Sequence, residues 1–132
     1  MNRKIFGLIL GIAAVLIVAA VAMGAVSANP TDAKIGNQTF HIPDGFKEVN
    51  RTNGTNETSV LFEKDKDTSI IISVAPKMNE SDLVQVAGDV NKTISGKNGV
   101  YNEKLHYFSY NNEGNYIIVF APDENMIADI IK

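Results

Sequence analysis

The chain predicts an α+β fold: an N-terminal transmembrane or signal helix, then a mostly antiparallel sheet with two helices in the order ββββ-α-ββ-α. Three observations predict it. The run from Ile5 to Val26 is apolar and carries no charge and no proline. Several later segments alternate apolar and polar residues and end at Gly, Pro or Asn turns. Two stretches, one after Asn79 and one after Asp123, instead place apolar residues at helical spacing.

The apolar run follows Met1-Asn2-Arg3-Lys4. As a helix it reaches roughly 33 Å, enough for a hydrocarbon core of about 30 Å. Its backbone groups must bond internally in lipid, which leaves helix as the workable form. Arg3 and Lys4 are expected on the cytoplasmic side, with the C-terminal domain outside. Val26-Ser27-Ala28 also fits a signal-peptidase site, so residues 1–28 read as an anchor or, if cut after Ala28, as the signal of a secreted protein. Gly7/Gly11 and Ala20/Gly24 are small-xxx-small pairs, a pattern frequent in any leader.

Residues 29–36 read as a linker, because Pro30 ends a helix leaving the membrane. The extracytoplasmic domain is expected over 37–132. Gln38 to Ile42 alternates as a strand, with Phe40 and Ile42 on one face and His41 on the other. Pro43-Asp44-Gly45 turns the chain, Phe46 to Val49 resumes extended, and Arg51 to Glu57 reads as a mobile polar loop. Thr58 to Glu63 and Thr68 to Ala75, joined through Lys64-Asp65-Lys66-Asp67, predict a hairpin. Thr68, Ile70, Ile72 and Val74 form one face, which Val60 and Phe62 join if the loop is odd in length. A helix capped by Asn79 or Ser81 is then expected. Leu83, Val86, Ala87, Val90 and Ile94 form its stripe and Gly96 its stop. A second hairpin turns at Glu113-Gly114. It places His106, Phe108 and Tyr110 beside Ile117 and Val119, and it is apolar on both faces, as a mid-sheet hairpin would be. Pro122 ends it, and Asp123 caps a last helix through Met126, Ile127, Ile130 and Ile131.

Composition excludes several partners and chemistries. The formal charge of the whole chain is −3. Setting Arg3 and Lys4 aside leaves 10 basic residues against 15 acidic, about −5. That sign disfavours nucleic acid and anionic lipid surfaces. Cysteine is absent, which removes disulfides, thiol nucleophiles, thiolate metal sites and lipid attachment through a lipobox.

Phe40-His41-Ile42-Pro43-Asp44-Gly45-Phe46, with the later Phe120-Ala121-Pro122-Asp123, resembles small signal-anchored surface proteins of methanogenic archaea over most of the outer domain. The same aromatic-x-x-Pro-x-Gly-aromatic turn more loosely resembles the PsbP/Mog1/DcrB group. The first resemblance implies no activity. The second implies an α/β/α sandwich used for binding or assembly, and neither carries site residues over.

Few motifs carry chemistry. Six N-x-Ser/Thr sequons begin at Asn37, Asn50, Asn53, Asn56, Asn79 and Asn91, where about one or two would arise by chance. They are glycosylation candidates in a host with the machinery, although an Asn/Thr-rich composition alone also raises their number. His41 and His106 could together bind a metal or exchange protons, but no spacing joins them. Asp65-Lys66-Asp67 lacks the glycine and closing glutamate of a calcium loop and reads as a charged hairpin tip. Tyr101, Tyr107, Tyr110 and Tyr116 suit a stacking surface or, more simply, a sheet. No catalytic, cofactor or metal residue is nominated. The expected function is a noncatalytic, membrane-anchored domain that binds an envelope protein or glycan. The alternatives are a glycosylated structural surface protein and, more distantly, a His-dependent hydrolase.

Overall fold

The computed structural model describes residues 32–54, 57–77 and 86–132. Nine strands and one helix follow in chain order: β1 (Asp32–Ile35), β2 (Gln38–His41), β3 (Lys47–Asn53), β4 (Thr58–Asp65), β5 (Thr68–Pro76), β6 (Asp89–Ile94), β7 (Lys97–Asn102), β8 (Tyr107–Asn112), β9 (Asn115–Phe120) and α1 (Glu124–Ile130). The fold is therefore mostly β, and the expectation of an α+β domain with two helices is corrected. One short C-terminal helix is found among the described residues, so the α/β/α layering implied by the looser resemblance is not seen there. The expected N-terminal helix lies outside the described residues. No described helix is long and apolar enough to cross a membrane.

β1 and β2 pair as a two-stranded sheet, and the other strands form a seven-stranded antiparallel sheet in the order β3-β4-β5-β9-β8-β7-β6. This order is two meanders, β3 to β5 and β6 to β9, joined where β5 pairs with β9. The last strand in sequence thus sits in the middle of the sheet. Tyr116, Ile117, Ile118 and Val119 are all buried there, as a strand covered on both faces requires. Glu113 and Gly114, with φ of 49° and 80°, make the two-residue turn that sets Phe108 opposite Val119 and Tyr110 opposite Ile117. Positive φ at both central positions matches the right-handed strand twist.

One face of the large sheet holds the main core. Val60, Phe62, Ile70, Ile72, Phe108, Ile117 and Val119 meet Ile35 and Phe40 of the β1/β2 hairpin and Ile127 and Ile130 of α1. Each fully buried Phe or Ile stabilises the fold by about 1.5–3 kcal/mol relative to an exposed one. The helix forms where expected: Asp123 caps it by accepting a hydrogen bond from Met126 N at 2.8 Å. On the opposite face Val49, Leu61 and Ile71 form one cluster, and Ala75, Tyr107, Tyr116 and Ile118 another, with Phe120 packed against both. Ser59 and Ser73 are buried on this face and share a hydrogen bond of 2.7 Å between their hydroxyls.

Four segments depart from the sequence reading. Lys97–Asn102, which belongs to no expected element, forms β7. Asp32–Ile35, inside the stretch expected as linker, is β1; Ala33 and Ile35 point into the core while Asp32 and Lys34 stay exposed. Arg51 to Asn53, expected in a loop, continues β3 and pairs with Val60, Ser59 and Thr58. Asp89–Ile94, expected at the end of a helix, is the edge strand β6; residues 79–85 of that expected helix lie outside the described residues. Val90 and Ile94 stand four apart, a spacing that puts both on one face of a helix and equally on one face of a strand. Gly96 is not a helix stop. Ser95 and Gly96, at φ 49° and 80°, repeat the turn geometry of Glu113-Gly114.

Candidate functional site

The turn of β1/β2, the β3/β4 loop, the end of β5 and the start of β9 converge at one end of the molecule. They surround an open cleft of about 550 Å³. Asn37, Asn53, Thr58 and Asn115 supply amide and hydroxyl groups to its wall, the end of β5 from Val74 to Pro76 forms its floor with Pro76 exposed, and Glu57 supplies a carboxylate. Burial pushes the Glu57 carboxyl above the usual carboxylate range. Among the described residues no cation lines the cleft, so an anionic ligand meets only the like charge of Glu57 from them.

Local geometry fixes each wall. Gly36 adopts φ 62° ahead of Asn37, the positive value that a two-residue hairpin turn takes at its first central position. Gly54 N donates to Glu57 O at 2.6 Å and closes the β3/β4 loop. Thr58 Oγ1 donates to Asn53 Oδ1 at 3.1 Å. An amide network joins the two hairpin turns: Asn115 Nδ2 donates to Asn37 Oδ1 at 2.7 Å, Asn112 Nδ2 to Gln38 Oε1 at 2.9 Å, and Gln38 Nε2 to Glu113 Oε1 at 3.2 Å. Lys77 N donates to Gly114 O at 2.9 Å and ties the exit of β5 to the same turn.

The residues singled out from sequence scatter. Asn37 and Asn53 line the cleft; Asn50 lies on β3 and Asn91 on β6; Asn56 and Asn79 lie outside the described residues. His41 is exposed on β2, with Nδ1 2.8 Å from Asp32 Oδ1 and Nε2 3.1 Å from the Lys132 carbonyl oxygen. The Asp32 partner follows from the β1/β2 register, which sets Asp32 opposite His41. It was hidden because β1 read as linker. His106 is not in a strand: it sits in the β7–β8 turn at φ 58°, and its carbonyl accepts from Ala121 N. Neither histidine lines the cleft. Asp65 Oδ1 accepts from Asp67 N at 2.9 Å, and backbone and Thr68 donors hold the Asp65 carboxyl low at the hairpin tip. Among the described residues no three His, Asp or Glu side chains are grouped to hold a metal ion.

A second polar cluster is structural. Tyr107 donates its hydroxyl to Asp89 Oδ1 at 2.6 Å, and Asn102 Nδ2 donates to the same oxygen at 2.9 Å. Asn102 Oδ1 accepts from Leu105 N, while Asp89 Oδ2 accepts from Val86 N. Burial, then the Asp89 carboxylate, pushes the Tyr107 phenol far up. The group binds β6, β7 and β8 to the chain entering at Val86, and no buried side-chain polar atom among the described residues lacks a partner. Sequence reasoning missed Glu57, Thr58 and Asn115 as cleft residues. Only the register of two separate hairpins brings them together. No family model, curated protein or solved structure matches the chain.

Proposed function

We propose that the chain is a membrane-tethered extracytoplasmic binding module, not an enzyme, whose cleft takes a neutral, hydroxyl-rich ligand of the glycan class. The observation that carries this reading is the cleft lining. Amides and a hydroxyl both donate and accept, as sugar hydroxyls do, and Pro76, exposed at the end of β5, offers an apolar ring to the C–H side of a sugar. The net negative charge of the outer domain and the lone Glu57 favour a neutral ligand over an anionic one. The tether rests on the apolar run at 5–26.

The test is an NMR titration of the full-length chain in micelles with neutral envelope oligosaccharides. Shifts confined to the backbone amides of Thr58, Val74, Ala75 and Asn115, weakened at least several-fold by Asn115→Asp, support the reading. Shifts absent at saturating sugar, or scattered over the sheet, overturn it. A second reading, a glycosylated structural surface protein, is favoured by one observation: Asn37 and Asn53, two sequon asparagines, stand on the cleft wall. Sugar carried there would fill the cleft in place of a ligand. Mass spectrometry of the native protein separates the readings, because bare asparagines at Asn37 and Asn53 leave the cleft open.

A further inference from the structure

The two outermost strands of the large sheet, β3 and β6, each carry a sequon asparagine whose amide nitrogen makes no hydrogen bond to the described residues. On β3, Asn50 accepts a hydrogen bond from Arg51 N through Oδ1. On β6, Asn91 is exposed and makes no side-chain hydrogen bond to the described residues. Asn102, Asn112 and Asn115, which lie outside sequons, all donate through Nδ2 inside the fold. Asn98 and Asn125 also leave Nδ2 without a partner among the described residues, so an amide without one does not by itself mark a site; the sequon does.

The backbone register adds to this. β6 and β7 close on a two-residue turn with Ile94 opposite Lys97, so Val90, Lys92 and Ile94 bond to β7. Asn91 and Thr93, the two defining residues of the sequon, turn their backbone N–H and C=O to the open side, where the sheet has no further strand among the described residues. Such an edge is a template for another chain, and Val90, 53% exposed, adds apolar surface to it. On the other edge Asn50 sits at the bulge that shifts the β3 register between Glu48 and Asn50.

We infer that N-linked glycans at Asn50 and Asn91 cap both edges of the sheet and stop it from adding a strand of a second copy. In the transfer, Asn Nδ2 forms a bond to the anomeric carbon of a polyisoprenoid-phosphate-linked oligosaccharide. The bond from that carbon to the phosphate oxygen breaks, the lipid phosphate leaves with the electron pair, and Nδ2 gives up one proton. The inference goes beyond the cleft reading and uses different asparagines.

The experiment places one thiol in the cysteine-free, full-length chain by Val90→Cys and produces it in a host that glycosylates N-x-Ser/Thr. Peptide masses report occupancy, and oxidation in membranes reports edge-to-edge pairing as disulfide dimer. The expected result is sugar on Asn50 and Asn91, little dimer, and a several-fold rise in dimer when Asn50→Gln and Asn91→Gln are added with unchanged far-UV circular dichroism. Thr93→Ser keeps the sequon and should dimerise no more than its parent. Bare Asn50 and Asn91, or a double variant that dimerises no more than the glycosylated chain, overturns the inference.

Discussion

The β8/β9 and β6/β7 hairpins share one turn geometry and have opposite fates. Both turn through two residues at positive φ, Glu113-Gly114 and Ser95-Gly96. The first lies mid-sheet, with every residue from Tyr116 to Val119 buried. The second ends the sheet, and four of the six β6 residues are exposed. The turn therefore decides pairing, whereas position in the sheet decides how much free energy each residue carries. Burial per residue is what separates the two hairpins, and substitutions should expose that difference.

The largest effect is expected at the centre. Ile117→Ala removes a fully buried side chain from the main core and should cost about 2–5 kcal/mol by urea denaturation. Next comes Gly99→Ala, at the seam between the hairpins, where a Cβ would stand 2.1 Å from Ser109 O and 2.8 Å from the Phe108 ring. Since backbone must move, a loss of about 1–3 kcal/mol is expected by the same measurement. A cost no greater than that of Val90→Ala would mean that β7 does not pack on β8 as described.

Alkaline pH probes the same centre. Burial pushes the phenols of Tyr107, Tyr110 and Tyr116 above their ordinary value. A folded-state value above the unfolded value of about 10 means that their contribution is fully present below pH 10 and is lost as pH rises beyond it. Absorbance at 295 nm should show these tyrosines ionising only together with the loss of β-sheet circular dichroism. Ionisation well before that loss would place them at the surface. Smaller effects belong to the periphery: Asp123→Ala should cost about 1 kcal/mol through the lost helix cap, and Val90→Ala, on the exposed edge, no more than about 0.5 kcal/mol.

What could be read from the sequence follows the same divide. The Glu113-Gly114 turn, the existence of the β4/β5 hairpin, the Pro43-Asp44-Gly45 turn and the Asp123 cap were legible because each rests on local chemistry or unbroken alternation. β6 was not, because Asp89-Val90-Asn91-Lys92-Thr93-Ile94 has only two large apolar residues, four apart, and an edge strand need not alternate. β1 was missed because four residues beginning Asp32-Ala33 carry too little pattern to outweigh Pro30. The cleft was illegible for another reason. Asn37, Glu57 and Asn115 are far apart in sequence and meet only after β5 pairs with β9.

Amide hydrogen exchange across β6 and β9 tests the architecture most directly. The account predicts protection at every β9 amide from Tyr116 to Val119, exchanging only on global unfolding, and an alternating pattern in β6: Val90, Lys92 and Ile94 slow, Asn91 and Thr93 fast. Unbroken protection from Val90 to Ile94, as a helix would give, would contradict it.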